Sequence, residues 1–90
     1  RTIFVTAPTL AQAGVDLLEH AGCRILYLRD PNDTGEVERI MAGSQIDAVI
    51  SRTVELSAQA IGACPALKVV SKHGVGVSNI DVGACTARGI

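Results

Sequence analysis

The residues best suited to chemistry fall in one stretch, Lys72-His73-Gly74-Val75-Gly76-Val77-Ser78-Asn79, between the apolar run 67–71 and Ile80-Asp81. It reads as a buried strand, a two-glycine loop and a helix start. Glycine lets a backbone bend sharply and lets a ligand approach its N–H groups. Such a loop between a strand and a helix is an anion cradle. Three readings of it stand side by side. Backbone N–H groups of Gly74, Val75 and Gly76 could hold a small carboxylate. The run is also close to the dinucleotide fingerprint G-x-G-x-x-G, with Asn79 at the last glycine position. Or it is a tight turn with no ligand.

Cations gather around this loop. Lys72 and His73 flank it and would add positive charge beside an anion. Arg52 follows another apolar run and stands between Ser51 and Thr53. Its planar fork suits carboxylate or phosphate recognition. For each of the three the plain alternative is a solvated side chain. His20 falls near a helix end, where a cation complements the helix dipole. No spacing fits a Ser-His-Asp arrangement or a metal-ligand cluster. The residues give an anion-binding loop without an acid–base pair or nucleophile, so no catalytic residue is assigned in this chain.

Composition narrows the partners. The 90 residues carry a net charge of −1 and a hydrophobic fraction of 48%, which suits one small folded domain. There is no basic stripe, and aromatic side chains for base stacking are limited to Phe4 and Tyr27, so nucleic acid is not expected as a partner. No apolar run reaches the ~20 residues of a membrane span, and no membrane association is expected. The three cysteines, Cys23, Cys64 and Cys85, are odd in number and widely spaced. They read as small buried residues in a reducing, cytoplasmic setting.

The elements that must position these groups alternate regularly. Residues 3–5, 24–28, 46–50 and 67–71 read as strands. A capping box at Thr9-Leu10-Ala11-Gln12 predicts the first helix, with Leu10, Gly14, Leu17, Leu18 and Ala21 on one face and Gly22 as its left-handed stop. Asp33 caps a second helix bearing Val37, Ile40 and Met41. Ser57 starts a third, which runs to about Ala63. Asp81 caps a fourth that ends at Gly89, and Ile90 looks like the start of a fifth strand. The runs are apolar without alternation, as in strands covered on both faces. Right-handed crossovers then make an α/β fold, a flavodoxin-like three-layer parallel sheet of four strands plus the start of a fifth, with helices on both faces. Ligands in such sheets bind beyond the carboxyl ends of the strands.

The run Leu67-Lys68-Val69-Val70-Ser71-Lys72-His73-Gly74-Val75-Gly76-Val77-Ser78-Asn79-Ile80-Asp81-Val82, with Ala84 through Arg88-Gly89-Ile90, resembles the D-isomer-specific 2-hydroxyacid dehydrogenases. The likeness is strongest to the phosphoglycerate dehydrogenase and hydroxypyruvate/glyoxylate reductase branches. The family pattern is a strand, G-x-G-x-D-N-[IV]-D, and a helix ending in R-G-I. This chain departs from it at Ser78, where the family has Asp. Ile50-Ser51-Arg52-Thr53 is similar to the family's strand end before the third helix.

The resemblance implies that residues 1–90 form the N-terminal part of a substrate (catalytic) domain. The nicotinamide-binding Rossmann domain, and the active-site Arg, Glu and His, would lie outside this chain. NAD or NADP would serve the full-length parent, and this portion would bind no cofactor. The small-molecule partner would be a 2-hydroxy or 2-oxo acid, held by the loop from Lys72 to Gly76 with Arg52 near the cleft. The missing remainder of the domain would leave apolar surface uncovered, which implies a homodimer or larger association. The alternative is a free-standing flavodoxin-like module that binds a small anion or regulates.

Overall fold

The computed structural model describes residues 1–72 and 79–90. Among them, strands β1 (Thr2–Val5), β2 (Arg24–Tyr27), β3 (Ala48–Ser51) and β4 (Val69–Lys72) alternate with helices α1 (Gln12–His20), α2 (Thr34–Gly43), α3 (Ala58–Gly62) and α4 (Val82–Ala87). The strands form one parallel sheet in the order β2-β1-β3-β4. This is the expected doubly wound α/β architecture.

Register explains where the core sits. Phe4 on β1 lies opposite Leu26 on β2 and Val49 on β3, and Val49 lies opposite Val70 on β4. Register partners in a parallel sheet point to the same face. Phe4 and Val49 are fully buried in one cluster with Val37 and Met41 of α2, Ala60 and Ile61 of α3, and Cys85 of α4. The step from β1 to β2 runs opposite to the steps from β2 to β3 and β3 to β4. Right-handed crossovers therefore place α1 on the other face of the sheet.

That other face is unevenly covered, and here the expectation of strands buried on both sides fails. Ile3 and Val5 of the central strand are buried, while Val69 is 52% exposed. β3 and β4 consequently alternate in burial. Helix α1 packs beside β2, yet none of its nine residues, all described, is buried. Leu17, expected on its inner face, is 71% exposed. The capping box at Thr9 does not form either. Helix α1 starts two residues later, with Ala11 at its cap and no side-chain cap bond. The Gln12 side chain donates forward to Asp16 (2.8 Å) instead of reaching back.

The other starts and stops follow the local chemistry. Asp33 accepts from the Glu36 amide (3.0 Å), Ser57 from the Ala60 amide (3.1 Å), and Asp81 from the Ala84 amide (2.9 Å). Gly22 and Gly89 take the left-handed conformation, with φ of 80° and 72°. The Arg88 guanidinium donates to the carbonyls of Ile61, Cys64 and Pro65, satisfying the end of α3. Removing a real cap should cost more than removing a notional one. Ser57→Ala is expected to lower stability by about 1 kcal/mol and Ile61→Ala by about 2–5 kcal/mol. Thr9→Ala should stay within about 0.5 kcal/mol of the unsubstituted chain in urea unfolding.

Candidate functional site at the carboxyl end of the sheet

β1 and β3 run out of regular pairing together, and side chains take over. The Thr6 amide donates to the Ile50 carbonyl (3.1 Å), the last rung of ordinary β1–β3 pairing. The next rung of a parallel ladder would take the Arg52 amide to the Thr6 carbonyl. Instead the Arg52 amide donates to the Thr6 hydroxyl Oγ1 (2.9 Å). Thr6 is fully buried, so this hydroxyl has a structural task. It ends the pairing and fixes the amide of Arg52.

The Arg52 carbonyl is held from the other side. Lys72 Nζ, at the end of β4, donates to it, and so does Asn79 Nδ2 (3.0 Å). A carbonyl oxygen has two lone pairs, and both are engaged. Asn79 Nδ2 also approaches Ser51 Oγ (3.1 Å) and the Val54 carbonyl (3.0 Å), so its two hydrogens are shared among three acceptors. Asn79 Oδ1 accepts from Lys72 Nζ (2.8 Å). The backbone around Asn79 is tied down as well. The Leu56 amide donates to the Asn79 carbonyl (2.7 Å), and the Asp81 amide donates to the Leu56 carbonyl (3.0 Å). These two bonds flank a parallel bridge between Leu56 and Ile80.

The electrostatics of this end are lopsided. Among the described residues both ion pairs belong to Arg39, with Asp33 and Glu36, on α2. Arg52 and Lys72 have no carboxylate within 4 Å there. The Arg52 guanidinium, half-buried, has no hydrogen-bond partner among the described residues. Two uncompensated cations at the carboxyl end of a parallel sheet favour an anion. The Glu36 carboxylate, by hydrogen bond and then by charge, raises Arg39, while burial chiefly pushes the Cys85 thiol up. All three cysteines are free thiols. Among the described residues no His/Cys/Asp/Glu group could hold a metal, and no helix is long and apolar enough to cross a membrane.

Of the residues singled out in the sequence, Arg52 and Lys72 do meet, through the Arg52 carbonyl. His73, Gly74, Val75 and Gly76 lie outside the described residues. Thr6, Ser51 and Asn79 were not singled out as site residues, though all three sit at the correct ends of their segments. A surface cleft of about 470 Å³ lies at the other end of the sheet between Gly43, Ser44 and Pro65. Its lining is uncharged, which makes it a poorer anion site than the carboxyl end with Arg52 and Lys72.

A fingerprint's third glycine permits close helix–strand approach. Asn79 fills that position with a side chain bonded into the end of β3.

The fold is that of a parallel α/β domain, with Arg52 and Lys72 gathered at the carboxyl ends of its strands. The profile of the family described as D-isomer specific 2-hydroxyacid dehydrogenase, catalytic domain, matches residues 3–90, and the chain belongs to that family. The D-3-phosphoglycerate dehydrogenase of Mycobacterium leprae (strain TN) is 33% identical over 89 residues, 98% of this chain and 16% of that protein. The corresponding enzyme of Archaeoglobus fulgidus is 29% identical over 87 residues, again 16% of its length. The chain thus spans about a sixth of these curated relatives. The NAD+-bound 3-phosphoglycerate dehydrogenase of Entamoeba histolytica matches with a TM-score of 0.79 at 25% identity, over 99% of this chain and 30% of that one.

The Thr6 hydroxyl is testable. Thr6→Val keeps the shape and strands the Arg52 amide, which should cost about 1–3 kcal/mol. Thr6→Ser keeps the acceptor and should recover the hydrogen-bond part of that loss, read by urea unfolding of the two variants side by side.

Proposed function

We propose that this chain is the substrate-holding part of an NAD(P)-dependent oxidoreductase that interconverts a short D-2-hydroxy acid and its 2-oxo acid. The observation that carries the reading is Arg52. Its backbone is fixed at both amide and carbonyl, and its guanidinium has no acidic partner among the described residues. A cation held in this way at the carboxyl end of a parallel sheet suits the carboxylate or phosphate of a small acid. Lys72 adds charge beside it. Backbone N–H groups of the segment from His73 to Gly76 complete the carboxylate site in this reading. Family membership supports the substrate class, and the relatives named phosphoglycerate dehydrogenase support a phosphorylated acid within it.

The nicotinamide domain and the groups that move the hydride and proton belong to the remainder of the protein. NAD or NADP would bind there. The contribution of this chain is to hold and orient the acid, which lowers the entropy cost of the reaction without taking part in bond making. The 90 residues alone should therefore oxidise no NADH with hydroxypyruvate or glyoxylate. In the enzyme joined to its nicotinamide domain, Arg52→Met should raise the KM for the acid by roughly 10–100-fold, the value of a charge-assisted hydrogen bond. An unchanged KM would remove Arg52 from the site, and turnover by the isolated chain would overturn the division of labour.

The reading also includes self-association. The sheet face under α1 leaves Val69 and Leu17 exposed beside half-buried Ile25 and Ile50. Exposed apolar surface of this kind drives contact between molecules. The 90-residue chain should sediment as a dimer or larger species, and Val69→Lys should shift it toward monomer. A stable monomer at high concentration would count against this.

A further inference from the structure

We propose that Asn79 and Lys72 act together as a clasp that positions Arg52 for anion binding, so that both are positioning residues acting through the Arg52 backbone. The inference rests on the assignment of Arg52 as the anion-reading cation. It goes beyond that assignment by naming what aims the guanidinium.

Three observations carry it. First, the two side chains meet each other, Lys72 Nζ to Asn79 Oδ1 at 2.8 Å, and both donate to the same Arg52 carbonyl. Second, the contacts join chain segments 20–28 residues apart, so they fix tertiary placement and not local conformation. Third, Asn79 is held independently by the Leu56–Ile80 bridge, which gives the clasp a rigid anchor. Its amide is then oriented so that three acceptors of residues 51–54 converge on it.

The chemistry of each side chain suits this role. A neutral amide adds no charge to the anion site, so any effect of Asn79 on an anion must pass through geometry. Lys72 spends two of its three donors on Arg52 and Asn79. An ammonium placed this way neutralises the carbonyl that would otherwise face an incoming anion. With Thr6 on the amide side, the peptide units on either side of Arg52 are immobilised and only its side-chain torsions remain free. A guanidinium on a fixed backbone loses less entropy when it closes on an anion.

The test is a double-mutant cycle on the 90-residue chain. Binding of D-glycerate and of 3-phosphoglycerate is followed by NMR, including the Arg52 Nε–H resonance. Asn79→Ala should weaken binding roughly 10-fold and move that resonance before any ligand is added. In an Arg52→Met background the same change should weaken binding no further. Lys72→Met should move the same resonance before any ligand is added, while its affinity also falls through loss of the charge itself. An unmoved resonance would overturn the inference, and this variant stands in should Asn79→Ala fail to fold. Full affinity in a folded Asn79→Ala or Lys72→Met chain would overturn the inference. So would an Asn79→Ala loss that adds in full to that of Arg52→Met, which would mean direct contact with the anion. If Arg52→Met alone leaves binding intact, the assignment of Arg52 itself fails, and that result is read without touching Asn79.

Discussion

A parallel strand that stops leaves its next amide and carbonyl without a ladder partner, and the end of β3 is built around that constraint. Ser51 is fully buried, so groups next to it cannot rely on bulk water. A buried amide or carbonyl left unpaired costs about as much as a single hydrogen bond is worth several times over. The chain meets this by sending in three side chains from three elements. Thr6 comes from the end of β1, Lys72 from the end of β4, and Asn79 from the segment before α4. The same bonds that satisfy the backbone also decide where Arg52 stands.

The architecture makes that convergence available. The order β2-β1-β3-β4 sets β3 between β1 and β4, so the ends of both neighbours lie within reach of its last residues. Short strands of four residues bring the turns close to the core. On one face α2, α3 and α4 bury Phe4, Val49 and Ile61 completely, and this anchors the sheet under the site. The other face is covered unevenly: Val5 is fully buried there, but Val69 is exposed and no residue of α1 is buried. Rigidity at the carboxyl end therefore derives from the well-packed face and from the polar network, not from a symmetric sandwich.

Much of this was legible along the chain, and the exceptions have physical reasons. The strand–helix alternation, the caps at Asp33, Ser57 and Asp81 and the stops at Gly22 and Gly89 are local chemistry, read within a few residues. The start of α1 was misread because a hydroxyl followed by Gln three residues on is only permissive of a capping box, and here Gln12 found Asp16 first. The even burial of strands was misread because apolar runs show what could be covered, not what covers it. At the site, Arg52 and Lys72 were visible as cations at strand ends. Asn79 was seen only as a departure from a glycine pattern. Its partners lie 25–28 residues away, a relation that no spacing rule exposes. Family resemblance reached the family itself but not the contacts of Asn79, since a motif records which residues recur and not what they touch.

The departure at Asn79 also separates two uses of a glycine-rich segment. In a dinucleotide fingerprint the last glycine clears space so that a helix can close on a strand and its N-terminus can face a pyrophosphate. Here that position is filled by an amide bonded to Ser51, Arg52 and Val54. Helix α4 is reached only after the Leu56–Ile80 bridge has carried the chain past the sheet end. The Asn79 side chain thus occupies, with bonds to residues 51–54, the place that a fingerprint leaves empty. A site arranged this way favours a small acid gripped at one charged end over a long ligand laid along a helix N-terminus. In the proposed reading the sheet end holds the reactant, and the nicotinamide approaches from the rest of the protein.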